Sequence, residues 1–261
     1  MTARAIGIFV LVLAMASPAL AGPANSVIGG KKLEQDMVHS GGVGYPSILY
    51  EWWNKGKNKL DWGLGGDLVY GGSWTAATTN RVNTGFGTFR GGSRYIAIGL
   101  GMNGILRWHL AEKERPKVTN DVGILFKPGI LIGKRNNVSD AFAFGIRAEV
   151  GAPVSIDVHE RVSVVTGGYV PFTYFINKGD NNNGGLVPLL VRLGVEIKAN
   201  DNVAPWFYFD LGPGIGFGQG GGGANTSFAW RLGAGTAFWG VLGKNKNKSD
   251  VAEPMSSEPM E

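Results

Sequence analysis

Cysteine is missing from the sequence, which excludes disulfides, thiol catalysis, thiolate metal sites and thiol-linked lipid anchors. Charge is scarce: Asp, Glu, Lys and Arg make up 17% of 261 residues, with a formal net charge of +5. The excess is partly local, with Lys55, Lys57 and Lys59 in one turn and Lys244, Lys246 and Lys248 near the C-terminus. Nucleic-acid binding calls for a basic stripe interleaved with aromatics on one face; none is present, and no nucleic-acid partner is expected. Past the N-terminal region no apolar run approaches the ~20 residues of a membrane-spanning helix. Histidine is limited to His39, His109 and His159. They show no metal-ligand spacing and read as polar residues near turns, so neither a metal nor a cofactor is expected.

What the chain does have is glycine, 43 residues of it, beside an ordinary hydrophobic share of 44%. A disordered chain would carry more charge and less apolar content. A collagen would place glycine at every third position and carry more proline. A folded β domain remains. At the N-terminus, Arg4 precedes an apolar run from Ala5 to Ala16, and Ala19-Leu20-Ala21 follows a Ser-Pro break. This is the layout of an export signal cleaved after Ala21, with a run too short to span a bilayer. The expected division is a signal peptide at 1–21, an N-terminal segment at 22–42, a barrel at 43–243 and a disordered tail at 244–261.

The dominant pattern along the mature chain is alternation with period two. Ile98, Leu100, Met102, Leu106, Trp108 and Leu110 share one face, against Gly99, Gly101, Asn103, Arg107 and His109 on the other. Phe144, Ile146, Ala148, Val150, Val154 and Ile156 oppose Gly145, Arg147, Glu149, Gly151, Ser155 and Asp157. The same holds from Trp62 to Tyr70, Val122 to Ile132, Val187 to Ile197 and Val203 to Phe217. Weaker strands run from Val43 to Trp53, Val162 to Ile176 and Phe228 to Trp239, which makes nine candidates. Most are longer than the usual ~5–6 residues and exceed the ~9–11 needed to cross a bilayer when tilted. Short polar turns at Asn54 to Asn58, His159 to Arg161 and Asn200 to Asn202, with an intermediate one at Lys113 to Asn120, alternate with longer loops. That asymmetry is the layout of an up-and-down antiparallel transmembrane β-barrel of eight to ten strands, even numbers preferred. Nine strands would put the two ends on opposite sides, so either 22–42 supplies a short strand or one candidate is wrong.

Alternation leaves open which face looks inward, and a soluble periplasmic ligand-binding barrel is the alternative. Three features favour the polar face inside. That face is mostly glycine, which suits a cramped interior and only weakens an open strand. Its charges are mixed in sign: Asp67, Glu149, Glu196 and Asp210 with Arg107, Lys127, Arg147, Arg192 and Arg231. These form the candidate lumen cluster, interlocking with alternating sign and with Arg147 and Glu149 as neighbouring members, because buried ions must be paired. Finally, Trp52, Trp53, Trp62, Trp108, Trp206 and Trp239 gather at the short-turn ends and Trp74 and Trp230 at the other, as two membrane-interface girdles.

With its export signal, strand lengths, two-residue period and loop asymmetry, the stretch from Val43 to about Trp239 resembles the small outer-membrane β-barrel proteins of Gram-negative proteobacteria. Runs such as Gly44-Tyr45-Pro46-Ser47 and Leu106-Arg107-Trp108-His109 carry part of the likeness. The resemblance implies residence in the bacterial outer membrane as a monomer, contact with outer-membrane lipids, and a barrel-assembly machinery as partner during biogenesis. One departure is the final residue, Glu261, where many such proteins end in an aromatic; internal Phe238-Trp239 is the candidate substitute.

No catalytic set stands out. His39-Ser40 and His159-Glu160 are adjacent pairs, and neighbours on a strand point to opposite faces. Gly212 to Gly223 lacks the lysine and helix of a phosphate loop, and Asp180 to Asn183 lacks calcium-ligand spacing. The expectation is a non-enzymatic barrel, either structural and surface-exposed or a narrow pore for small solutes; a lipid-modifying outer-membrane enzyme is the alternative.

Overall fold

The computed structural model describes residues 25–45, 47–70, 82–83, 88–89, 96–115, 118–135, 142–177, 184–218 and 225–240. The expected signal peptide and C-terminal tail, Trp74 and the Asp180 to Asn183 run lie outside them. All regular elements described are strands: β1 Met37–Tyr45, β2 Ser47–Lys55, β3 Leu60–Tyr70, β4 Val82–Asn83, β5 Thr88–Phe89, β6 Ile96–Arg115, β7 Val118–Arg135, β8 Phe142–His159, β9 Val162–Asn177, β10 Gly184–Pro188, β11 Leu190–Ile197, β12 Val203–Gly218 and β13 Asn225–Trp239. β4 and β5 pair only with each other; the rest form one antiparallel sheet that closes on itself where β1 pairs with β13. β10 and β11 are two stretches of one stave between β9 and β12, so the ring is a closed ten-stranded up-and-down barrel. The break falls at Leu189, whose N–H turns to the Pro213 carbonyl. Closure leaves no edge exposed to pairing with another chain.

The tenth stave comes from the N-terminal segment. The chain from Val43 to Trp53, expected as one strand, is the turn of a hairpin plus its second arm: Val43 pairs with Ile48 and Met37 with Asn54. The barrel therefore begins at Met37 rather than Val43. Pro46 is the signal for this, since proline has no N–H to give a ladder and disfavours continuation by its neighbour. With ten staves, both ends of the barrel lie at the short-turn end. A second difference concerns Lys113 to Asn120, expected as a turn of intermediate length. The ladder between β6 and β7 continues through it to Arg115 and Val118. In the turn joining β2 and β3, Asn58 and Lys59 adopt left-handed backbone (φ 51° and 67°) and the Leu60 N–H donates to the Lys57 carbonyl.

The two faces are sorted in the reverse sense from a soluble barrel. Leu100 and Met102 are each 68% exposed and Leu193 57%, whereas Asp61, Arg107 and Asp210 are fully buried. Large apolar side chains such as Leu64, Leu100, Met102, Ile146 and Leu193 point outward, and the charges and most glycines point into the lumen, together with a smaller set of buried apolar side chains. What apolar core exists gathers around an inserted piece of chain. Val27, Ile28 and Leu33 pack with Trp53, Ile105, Leu125, Val165, Trp206 and Trp239.

Two neighbouring glycines on β9 separate backbone need from space. Gly167 has φ +142°, and a Cβ there would sit against the Ala152 carbonyl oxygen, while a Cβ at Gly168 meets nothing. Gly167→Ala is expected to destabilise the refolded barrel by about 1–3 kcal/mol, the usual scale of backbone strain. Gly168→Ala should be close to neutral; urea titration of both variants measures the contrast.

Candidate functional site

The lumen is the one place where chemistry-bearing side chains converge among the described residues, and it is built in two tiers. The upper tier lies toward the long-loop end. Glu51 of β2 reaches Lys127 of β7 at 2.6 Å. Asp67 of β3 holds Arg147 of β8 with two parallel hydrogen bonds, and the same guanidinium donates to Asn103 at 3.1 Å. Glu149 of β8 pairs with Arg231 of β13, which also holds Asp210 of β12. Asp210 in turn takes both ends of the Arg192 guanidinium, at 2.8 and 2.9 Å. Arg192 is stacked between Tyr169 (3.9 Å) and Tyr208 (4.1 Å). Four carboxylates thus meet four cations, and three of these links span the lumen between non-adjacent staves. A cavity of about 150 Å³ lies among them, lined by Glu51, Lys127, Arg147, Glu149 and Arg231 and floored by Val27 and Ile28.

The floor belongs to the lower tier, at the short-turn end, where residues Asn25 to Asp36 enter the lumen as a loop. Both ends of this strap sit at the mouth: the Asn25 side-chain oxygen accepts from the Glu34 and Gln35 N–H groups, each at 2.9 Å. The wall grips its backbone. Glu196 Oε1 accepts from the Val27 and Ile28 N–H groups at 2.9 and 3.1 Å. Arg107 donates to the Ser26 and Gly29 carbonyls at 2.7 and 3.0 Å. Ser155 accepts from Gly30, and the Tyr169 hydroxyl donates to the Ile28 carbonyl. Asp61 accepts from the Leu33 N–H and pairs with Arg107 at 2.8 Å. His109 bridges Asp61 (2.8 Å) and the Gly30 carbonyl (2.9 Å). From the strap, the Lys31 ammonium is held by Asp157 at 2.8 Å.

The nine residues of the expected cluster all face the lumen, but not as one group. Asp67, Lys127, Arg147, Glu149, Arg192, Asp210 and Arg231 form the upper tier. Arg107 and Glu196 are in the lower tier and bind the strap. Arg147 and Glu149 are not each other's partners, as their two-residue spacing suggested, because each reaches across to an opposing stave. Glu51 is an upper-tier member the sequence reading left out, although it shares its face with the lumenal Trp53. The strap itself carried no signal, since its segment has no alternation.

The seven described tryptophans divide differently from the expected girdles. Trp52 and Trp62 meet edge to face on the outer surface at 5.5 Å, with Trp108 also outward. Trp230 stacks on Tyr45 at 5.0 Å near the other end. Trp53, Trp206 and Trp239 are buried inside instead. Trp53 lies under the Arg107 guanidinium at 4.7 Å, and Trp206 donates its indole N–H to Ser40 at 3.0 Å. Their parity along the strand decides this: odd positions of β2 and even positions of β12 point inward, whatever their distance from a turn. His39 faces outward, bonded to Tyr50 and stacked on Phe238, while Ser40 faces inward. His159 accepts from the Arg161 N–H within its turn.

No protein-family model matches the chain, and neither does any curated protein or solved structure.

Breaking the upper tier at its shared member should be costly. Asp210→Ala leaves both Arg192 and Arg231 short of a carboxylate in a buried setting, and a loss of about 3–5 kcal/mol is expected. Lys127→Met should cost less, because its pair with Glu51 is more accessible, at 19% and 12% side-chain exposure. Midpoints of urea unfolding for the two variants give the ordering.

Proposed function

We propose that the chain is an integral outer-membrane β-barrel without enzymatic activity, held closed at rest. One observation carries the reading: a closed barrel places large apolar side chains outward around its circumference and its charges inward. In water that arrangement would leave an apolar belt far beyond the patches monomeric proteins expose. In a bilayer the same belt is the solvent-matched surface, and ring closure satisfies the backbone groups that lipid cannot. Outward Trp52, Trp62 and Trp108 at one end and Trp230 with Tyr45 at the other suit the two headgroup layers. The export signal read from residues 1–21 agrees with a bacterial outer-membrane location.

The closed state rests on the strap and the upper-tier ion pairs, which together occupy the lumen. The histidines support the non-enzymatic reading, since each is committed to a structural contact, with Tyr50, with Asp61 and Gly30, or within its own turn. The protein acts, on this reading, as a membrane-embedded scaffold whose outer surface meets lipid, with a barrel-assembly machinery as its partner in biogenesis.

The mature protein is expected to fractionate with the outer membrane, resist extraction by salt and alkali, and migrate faster on gels when unheated. Recovery as a soluble periplasmic monomer would refute the reading. A single substitution tests the outer face. Leu193→Arg should cost ~2–4 kcal/mol in a bilayer, the midplane cost of a lipid-facing cation. A water-exposed position would register within about ±0.5 kcal/mol. Unfolding of the lipid-reconstituted barrel distinguishes the two values.

A further inference from the structure

We infer that the strap is a releasable plug over an acidic collar, and that the lumen it vacates passes cations in preference to anions. The inference rests on the membrane-barrel reading above and adds a gate and a selectivity to it. It starts from the charge of each tier. The upper tier is balanced within the wall itself. The lower tier is not: Asp61, Asp121, Asp157 and Glu196 face the lumen there, against Arg107 and the His109 imidazole among the described wall residues. The deficit is met by the strap, which brings the Lys31 ammonium to Asp157 and the N–H groups of Val27, Ile28 and Leu33 to Glu196 and Asp61.

The match is incomplete on both sides: among the described residues Arg107 Nε and Asn25 Nδ2 lack an acceptor, and two carboxylate oxygens lack a donor. Asp61 Oδ1 and Glu196 Oε2 are buried without a hydrogen-bond partner among the described residues, although each sits on a carboxyl group whose other oxygen binds the strap. Burying carboxylate oxygens without a donor is costly, and the wall carries more carboxylates here than the Lys31 ammonium and Arg107 answer one for one. A ring of carboxylates lining a water-filled passage is, by contrast, the standard means of favouring cations.

The strap is also shaped to leave in one piece. Both of its ends are at the short-turn mouth, tied by Asn25 to Glu34 and Gln35, so it withdraws as a loop without threading a free end through the barrel. Its polar grip is spread over separate staves, through Glu196, Arg107, Ser155, Tyr169, Asp61 and Asp157, and these groups can take water in its place. Because Val27 and Ile28 floor the upper cavity, withdrawal joins that cavity to the mouth.

The absence of cysteine makes the test direct. A Cβ at Gly29 would lie against the Ser155 hydroxyl, so Gly29→Cys with Ser155→Cys introduces one disulfide between strap and wall. Its oxidised form should be silent in planar bilayers of potassium chloride, and reduction should restore whatever openings the wild type shows. The full mature chain lacking only residues 25–35 should conduct at least roughly tenfold more charge than the wild type. Under a salt gradient its reversal potential should move toward that of potassium. Adding Asp61→Asn, Asp157→Asn and Glu196→Gln should abolish the preference while leaving conductance. Faster migration on unheated gels checks that each variant is a folded barrel. A folded strap-deleted barrel that stays closed, or that passes chloride as readily as potassium, overturns the inference. Failure of the wild type itself to insert and to migrate as a barrel overturns the membrane reading instead.

Discussion

Ten staves enclose an interior barely wider than the side chains that fill it, and this chain lines that interior with ionised groups. In such a space a charge is stable only when an opposite charge or an aimed dipole lies within a few ångströms. The rest of the architecture follows from that requirement. Arg231 serves Glu149 and Asp210 together, Arg192 is forked onto Asp210 and clasped by Tyr169 and Tyr208, and Arg147 closes on Asp67 from three staves away. The links of Arg231 to Glu149, Arg147 to Asp67 and Lys127 to Glu51 tie non-adjacent staves, so the ring is braced across its diameter as well as around its circumference. Glycine on the inner face leaves room for the long arginines to cross.

The same requirement explains the strap. Below the ion-pair tier the wall is richer in carboxylates than in cations, and an empty lumen there would leave them exposed to one another. A stretch of main chain is a suitable answer, because consecutive N–H groups present partial positive charge at close spacing and lysine supplies a full one. Val27, Ile28 and Leu33 add apolar contact with Trp53, Ile105 and Leu125. The strap thus provides both the apolar core and the charge balance that the barrel wall lacks. Bracing above and the strap below together fill much of the lumen, which is the basis of the proposed closed state.

Outside, the constraint is of a different kind. Exposed Leu100, Met102 and Leu193 gain nothing from water, and an apolar surrounding is what the membrane proposal supplies to them. The faces of every stave are therefore coupled: a one-residue slip in register would carry Arg107 or Arg192 to the outside and Trp108 or Leu193 to the lumen. Both errors are costly, which holds the register of the ladders in place.

The all-β class, the barrel, the alternation of faces and the lumenal position of the charged residues were legible in the sequence. The reason is that a strand has a period of two, and position parity alone assigns a side. Parity also held the information on Trp53, Trp206 and Glu51, where distance from a turn proved the wrong guide. Pro46 marked a hairpin that apolar continuity from Val43 to Trp53 concealed. Two things were decided only by tertiary structure. One is the pairing of charges, since Arg147 has Glu149 two residues away yet meets Asp67 across the lumen, where barrel curvature brings opposite staves within reach. The other is the strap, because a segment bound through its backbone needs no particular side-chain period, and its contacts come from residues up to 169 positions away in the chain.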